Sequence, residues 1–469
     1  MNFLAKHSAQ LNGEVICPGD KSISQRIVMI ASYLNADINI TGFLNGNDPL
    51  STANALNQIG AGIKINGTNV SITKREGPLA SSSGAIDLGN SGTGIRLLMG
   101  FTSGLGIKAT LTGDESLVKR PMKRVSIPLS EMGALVSITP KGTPPVDILS
   151  GNLVDNFEYD MPISSAQVKS AILLAGLTAN KKVTVIEKKI TRDHTERMIN
   201  FFGGNVDVTS EGEGRRITLH PTKLISKDHY KVAGDFSSAS FLIVAGLIAK
   251  NSEILIKNVG LNKTRSGLLS VLKSMGANIQ ILNQKTECNE DVGDLLIKSS
   301  SLHGVEIGGA IIPNIIDEIP ILSIAASCAE GKTTIKDAKE LRVKESDRLE
   351  AIASGLKALN VPHYLYEDGI EISEQEKVDS MKSKLRAFGG SGKVDEDKFV
   401  YRKVIGNVIP LGIGLTETPA ADVKGVATNA VLATEEPEIA QEENVASKEN
   451  ISNFEKTNVN NTKDQKYMK

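Results

Sequence analysis

Six short stretches of this chain set a lysine or arginine among serines, threonines and glycines. Residues 18–26 read Pro-Gly-Asp-Lys-Ser-Ile-Ser-Gln-Arg and residues 89–96 read Gly-Asn-Ser-Gly-Thr-Gly-Ile-Arg. The others are 116–121 (Ser-Leu-Val-Lys-Arg-Pro), 164–169 (Ser-Ser-Ala-Gln-Val-Lys), 191–194 (Thr-Arg-Asp-His) and 342–348 (Arg-Val-Lys-Glu-Ser-Asp-Arg). Cations beside hydroxyls and permissive backbone make charge-assisted bonds to small anions, and a helix start adds free N–H groups and the positive end of its dipole. The chemistry this predicts is a confined site for small, multiply anionic ligands.

Each motif also has a plainer reading. Ser22 or Ser24 can cap an apolar helix over 27–34, with Lys21 and Arg26 either gripping an anion or simply solvated. Gly92 lets backbone approach a ligand next to Asn90, yet residues 88–96 could be a tight turn; they are neither a Walker loop nor a dinucleotide fingerprint. Lys119 and Arg120 precede Pro121 and are expected to be extended. Residues 164–175 form a helix with a hydroxyl-rich start, as a well-capped core helix also would. Asp317 and Glu318 interrupt an apolar run over 314–322, where an unpaired charge is costly, so they need partners or serve as acid or base. Capping a helix over 319–326 is the alternative for Asp317. Glu345 and Arg348, three apart, share one face of a helix capped by Ser346 or Asp347, where a solvated charged turn is the plain reading.

The elements that must position these groups recur. An apolar helix, a glycine stop and an alternating strand return around residues 58–65, 131–138, 202–208 and 274–281, and more weakly at 357–363. The helices fall over 52–59, 127–132, 196–202, 267–275 and 349–359, so the fold is assembled from copies of one α/β unit. No sixth copy follows. Residues 376–434 have no clear pattern, and 435–469, rich in Glu, Asn, Lys and Thr, are expected to be disordered.

Bulk composition narrows the function. The 53 basic against 54 acidic residues exclude a general polyanion binder, and 4% aromatics with no tryptophan supply few stacking platforms, so nucleic acid is not expected as a partner. Cys17, Cys288 and Cys328 are few and far apart, which disfavours a disulfide framework or zinc site; the six histidines show no metal-ligand spacing. No apolar run reaches a membrane span and the first residues lack a signal segment, so a cytoplasmic protein without membrane contact is expected.

Jointly, residues 21–26, 89–96, 119–122, 165–170, 191–196 and 341–348 resemble the EPSP synthase family, in order and at natural spacings across roughly 8–372. The wording is most similar to the bacterial class II branch. The resemblance implies an α/β fold of two domains built of repeated βαβαββ units around a pseudo-threefold axis, with the sixth unit missing or degraded here. It implies one domain from 1–20 plus 230–375 and a second over 21–229. The implied reaction moves the enolpyruvyl group of phosphoenolpyruvate onto the 5-hydroxyl of shikimate 3-phosphate, with no metal or organic cofactor and a monomer as the working form.

By matching position, Lys21, Ser22, Arg26, Ser165, Ala166, Gln167, Asp317 and Lys344 would hold shikimate 3-phosphate. Lys21, Asn90, Gly92, Arg120, Gln167 and Arg348 would hold phosphoenolpyruvate. Asp317 would take the hydroxyl proton, with Glu345 and Lys21 managing the methylene proton. Gln25 stands where the family often has histidine. The family's Asp-His-Arg segment, with its phosphoenolpyruvate-gripping arginine, does not follow Gly369. That loss leaves a second reading, a remnant that only binds shikimate 3-phosphate. The related UDP-N-acetylglucosamine enolpyruvyl transferase is a third, disfavoured by the wording at 165–167 and 344–348.

Overall fold

The computed structural model describes residues 10–344 and 346–373, together with the backbone of two strands, β1 (Phe3–Ala5) and one at Arg402–Val404. The expectations for Glu345, for a missing sixth unit over 376–434 and for a disordered tail over 435–469 lie outside the described residues.

After β2 (Asn12–Ile16) and α1 (Lys21–Leu34) come β3 (Ile38–Thr41), α2 (Asn47–Gln58), β4 (Ile63–Asn66) and β5 (Asn69–Ile72). Two full repeats follow. The first is β6 (Ala85–Asp87), α3 (Gly92–Leu105), β7 (Ala109–Thr112), α4 (Lys123–Glu131), β8 (Val136–Ile138) and β9 (Val146–Ile148). The second is β10 (Phe157–Asp160), α5 (Ala166–Ala179), β11 (Val183–Glu187), α6 (His194–Phe201), β12 (Asn205–Glu211) and β13 (Gly214–His220). Beyond β14 (His229–Lys231) lie α7 (Phe236–Ile248), β15 (Glu253–Gly260), α8 (Gly267–Ser274), β16 (Asn278–Glu287) and β17 (Glu290–Lys298). The last described unit has β18 (Glu306–Ile307), α9 (Ile312–Ile315), α10 (Ile319–Ser327), β19 (Lys332–Ile335), α11 (Arg348–Ala358), β20 (His363–Leu365) and β21 (Ile370–Ser373). The strand at Arg402–Val404, β22, pairs antiparallel with β1.

Among the described residues this makes five four-stranded sheets of one design. In each, two parallel strands are followed by an antiparallel pair whose last strand inserts beside the second, as in the order β6-β7-β9-β8. The local cause is a helix that must stop and reverse into a strand. Gly60, Gly133, Gly203 and Gly276 take positive φ at these stops, and Asn360 does so in the copy that lacks glycine. A branched side chain there would be strained.

Two sheets borrow their first strand from elsewhere in the chain. β14 pairs with β3, and β2 pairs with β15, some 241 residues away by the Leu11–Ser252 hydrogen bond between them. The two connections therefore cross. At the crossing Asp20 N–H donates to Ala233 O (2.8 Å), Asp235 N–H donates to Pro18 O (2.7 Å), and Gly19 bridges Gly234. Both segments are also packed tightly against their neighbours: a Cβ on Gly19 would lie 1.8 Å from Gly42 O, and one on Gly234 would lie 2.0 Å from Asn258 O. The crossing separates two apolar cores, one from Ile23 to Ala233 and the other of Cys17 with Phe236 to Ile372. Val292 of β17 is buried in the first core although its strand belongs to the second.

That exception marks the β16–β17 hairpin, which docks across the boundary. Its tip receives Lys231 N–H on Cys288 Sγ (3.3 Å) and Arg197 Nη1 on Asn289 O (2.9 Å). Next to it, buried Glu290 Oε1 lies 2.7 Å from His194 Nδ1. Burial pulls the His194 imidazole down, but Glu290 and Asp20 outweigh it and leave its pKa above the ordinary 6.5. Among the described residues no single helix is long and apolar enough to cross a membrane.

Two local expectations are corrected. α1 begins six residues earlier than its apolar run, so its cap is Asp20, which accepts from Ile23 N–H (2.8 Å), and not Ser22 or Ser24. Ser24 instead accepts from Leu44 N–H (3.0 Å). Lys119 closes a 3-10 turn at Leu117–Lys119, because Asp114 caps that turn through Ser116 and Leu117 N–H; Arg120 alone is extended.

Gly19→Ala should destabilise the protein by about 3 kcal/mol, the upper range for overpacking, read by urea unfolding. Wild-type stability there would remove the crossing as a constraint. For His194, a raised folded pKa means its contribution is full below the unfolded value and fades as pH climbs through the folded one. The melting-point gap between wild type and His194→Gln should therefore be widest at about pH 6 and shrink above 6.5; a gap that grows with pH contradicts the charged pair.

Candidate functional site

Four of the cationic motifs fall at helix N-termini fixed by a side-chain cap, those of α1, α3, α5 and α11, and α7 is capped in the same way. Ser91 accepts from Gly94 N–H (3.0 Å) at α3, Ser165 from Val168 N–H (3.5 Å) at α5, and Asp235 from Ser238 N–H (3.1 Å) at α7. Asp347 accepts from Glu350 N–H (3.0 Å) at α11, the second of the two caps the sequence allowed. Such ends present unsatisfied N–H groups and a positive dipole.

On the first core, α1 is tied to the start of α3 by Gln25, whose Nε2 donates to Ser91 Oγ (2.6 Å) and Thr52 Oγ1 (3.0 Å). Beside that start, Arg120 Nη2 donates to Asn90 Oδ1 and to Ser116 Oγ (3.3 Å), while Asn90 Nδ2 donates to Asp114 (2.8 Å). Gly92 is the floor of this group. A Cβ there would lie 2.8 Å from Arg120 Nη1 and 3.3 Å from Arg96 Nη1. Arg96 Nη1 donates to Gln167 Oε1 (2.9 Å), and Gln167 Nε2 to Thr93 Oγ1 (2.9 Å), so α3 and α5 open onto the same place. Ser165 and Ala166 begin α5 there.

Arg26 lies deeper. Its Nε donates to Thr195 Oγ1 (2.8 Å), Nη2 to Ser170 Oγ (2.9 Å) and Nη1 to Ser22 O (3.0 Å). Burial lowers its pKa to about 10 against the pull of Glu196, which still leaves it charged at neutral pH.

The second core contributes Asp317, between α9 and α10. It does not cap α10; its carboxylate is instead gripped by Arg192, by Arg348 Nη1 (3.0 Å) and, at 3.6 Å, by Arg265 Nη1. Burial pushes the Asp317 carboxyl up, but Arg192, Arg265, Arg348 and Lys344 together hold it well below the usual range. The apolar run thus keeps its charge because four cations compensate it. Lys344 Nζ itself rests on Glu340 (3.0 Å). Neighbouring Glu318 bonds Ser237 and Arg265 Nη1 (3.2 Å), and burial raises its pKa in spite of Arg265.

Lys21 links the halves. Its N–H donates to Asp235 Oδ2 (3.1 Å), its Nζ reaches Asp48 (3.3 Å), and the side chain stays more than a third exposed. From Lys21 the contacts run through Asp235 and Arg265 to Asp317 and Arg348; through α1 and Gln25 they run to Ser91, Gly92 and Arg120. Arg192, Arg96 and Arg265 belong to this constellation although none stood among the expected site residues. The first two lie inside quoted motifs. Arg265 sits between Thr264 and Ser266, the same cation-among-hydroxyls signature, which would have found it.

Comparisons with known proteins give one answer. Residues 5–389 match the family model for EPSP synthase (3-phosphoshikimate 1-carboxyvinyltransferase). The chain is similar to the 3-phosphoshikimate 1-carboxyvinyltransferase of Petrotoga mobilis, with 50% identity over 371 residues, 78% of this chain and 85% of that one. It is similar to that of Thermoanaerobacter sp. at 45% identity over 372 residues, 79% and 87% of the two chains. Among solved structures, an EPSP synthase from Acinetobacter baumannii superposes with a TM-score of 0.71 at 41% identity, covering 80% of this chain and 84% of the other. The chain belongs to the EPSP synthase family.

Proposed function

We propose that the helix starts gathered around Lys21, Gly92 and Asp317 hold the two substrates of the family reaction side by side. The reaction is enolpyruvyl transfer from phosphoenolpyruvate to the 5-hydroxyl of shikimate 3-phosphate, with release of phosphate, in the shikimate route to aromatic amino acids. The chain is an enzyme of this class. A remnant that only binds shikimate 3-phosphate is not favoured, since transferases of that name match across about four fifths of the chain.

In this reading Asn90, the Gly92 N–H, Arg120, Gln167, Arg348 and Lys21 take the phosphate and carboxylate of phosphoenolpyruvate. Ser22, Arg26, Ser165, Ala166, Gln167, Lys344 and Lys21 take the phosphate and hydroxyls of shikimate 3-phosphate. Asp317 accepts the proton of the attacking 5-hydroxyl as its oxygen bonds to C2 of phosphoenolpyruvate. Glu345, with Lys21, supplies a proton to C3, so the adduct carries a methyl group. When the C2–phosphate bond breaks, the methyl returns a proton to that pair and the double bond re-forms. Donors placed where charge gathers lower each barrier.

The observation that supports this reading most is the position of Asp317, held by Arg192 from one core and Arg348 from the other. A carboxylate so compensated is a weak base. Substrate anions that claim those arginines would weaken their hold on Asp317 and raise its proton affinity at the moment a base is needed.

Asp317→Asn should lower turnover by about 10²–10⁴, measured as phosphate release with both substrates saturating. Unchanged turnover removes Asp317 from the chemistry. Arg120→Ala, and Gly92→Ala through the methyl it pushes at Arg120, should raise KM for phosphoenolpyruvate by about tenfold or more and that for shikimate 3-phosphate far less. Equal effects on both would contradict the assignment of Arg120.

A further inference from the structure

Arg265 is the most heavily compensated cation among the described residues, and no step of the reaction uses it. Its side chain is 7% exposed and its three nitrogens point three ways. Nε faces Asp20 Oδ2 at 4.0 Å. Nη2 donates to Ser237 Oγ (2.6 Å) and lies 3.6 Å from Asp235 Oδ1. Nη1 donates to Glu318 Oε1 (3.2 Å) and lies 3.6 Å from Asp317 Oδ2. The two carboxylates it gathers from the crossing are the caps of α1 and α7, and Asp235 also accepts the Lys21 N–H.

The backbone that carries Arg265 is itself tied to the lobe boundary. Asn262 Nδ2 donates to Asp193 Oδ1 (2.6 Å) and to Glu290 Oε2 (3.1 Å), the partner of His194. Asn262 O accepts the Arg265 N–H (2.8 Å), and Thr264 Oγ1 locks the Asn262 side chain (2.8 Å). A single turn thus grips the other lobe with its amide and the active site with its guanidinium.

We propose that Arg265 is a positioning residue: its guanidinium holds Asp317 in register with the Lys21 end of α1, so that the docking of the lobes sets where the base stands. This rests on the reading of Asp317 as the base. A planar fork can serve three directions at once, whereas a lysine ammonium is a compact point charge without that fixed geometry. Around Asp317 the other charged groups are Arg192 from the loop before α6, Lys344 and Arg348 at α11, and Glu318 beside it. Arg265 is the one among them anchored to both caps.

Two variants test this without emptying the site of charge. Arg265→Lys keeps the cation and loses the fork; Ser237→Ala keeps the arginine and removes its shortest bond. We expect Arg265→Lys to lower kcat by about tenfold or more, and Ser237→Ala by a few-fold, with KM for phosphoenolpyruvate within about twofold of wild type. Arg265→Gln, which removes a cation that holds Asp317 down, should move the acid limb of the kcat–pH profile upward. If Arg265→Lys and Ser237→Ala lower only the melting temperature and leave kcat where it was, and Arg265→Gln leaves the acid limb in place, Arg265 is a structural ion alone and the inference fails. If Asp317→Asn turns over like wild type, the reading of the base fails instead, whatever Arg265 does.

Discussion

Everything in this molecule depends on two chain segments that cross at backbone hydrogen-bond distance. Residues 18–20 and 233–235 exchange backbone hydrogen bonds, each then turns at once into a helix, and each helix is capped by the aspartate of the crossing itself. Two carboxylates are thereby forced together in a buried place, which raises the proton affinity of Asp235 through burial and through Asp20. Like charges that close need a cation between them. Arg265 fills that need, and the same requirement brings a guanidinium within reach of Asp317. The topology thus dictates the electrostatics, and the electrostatics fix the site.

In the proposed reading the site takes two phosphates and a carboxylate. Here the cations rest on internal acceptors: Lys21 on Asp48, Lys344 on Glu340, Arg348 and Arg192 on Asp317, Arg120 on Asn90, which is itself held by Asp114. If these cations take the substrates as proposed, binding exchanges one acceptor for another and is not a gain of new charge pairs. The advantage lies in selectivity, since a ligand with too few anionic groups cannot release all the internal pairs at once. The partial exposure of Lys21, Asp317 and Arg348 fits groups that change partners in the proposed reading, whereas Arg265 is buried and keeps its own.

How much of this the sequence carried depended on the range of the interaction. Helix–glycine–strand chemistry is local, so the repeat at residues 131–138 or 274–281 could be read directly, and the stops at Gly133 and Gly276 lie at positive φ where the pattern put them. Asp347 as a cap is equally local. The crossing was not legible, because the pairing of β2 with β15 is decided by closure across more than two hundred residues. Arg265 carried the local signature between Thr264 and Ser266, but its role was not legible for a related reason. Its partners Asp20, Asp235 and Asp317 come from three distant segments, and only the crossing makes them neighbours. Asp317 itself was recognisable as a charge in an apolar run, but its compensation by Arg192 was not.

Arg192 shows how a loop can hold a cation at the site without a helix to carry it. The loop between β11 and α6 is flanked by Glu187, the last residue of β11, and Glu196, in the first turn of α6, and both carboxylates bind the fully buried Lys169 Nζ, at 3.1 and 2.8 Å. Thr191 Oγ1 donates to the same Glu187 (2.6 Å), one residue before Arg192. One ammonium therefore fixes both ends of the loop and, through Thr191, its middle. Two carboxylates against one ammonium leave an excess negative charge in the interior, which burial would penalise heavily if nothing else faced it. Burial raises the pKa of Glu196 while Lys169 opposes the rise, and the attraction between Glu196 and Arg26 places a second cation against the cluster. Arg26 is in turn bonded to Thr195 at the start of α6 and to Ser170 next to Lys169. The buried charges balance only when α1, α5 and the loop are all in place, so the stiffness that presents Arg192 to Asp317 is a property of the three together.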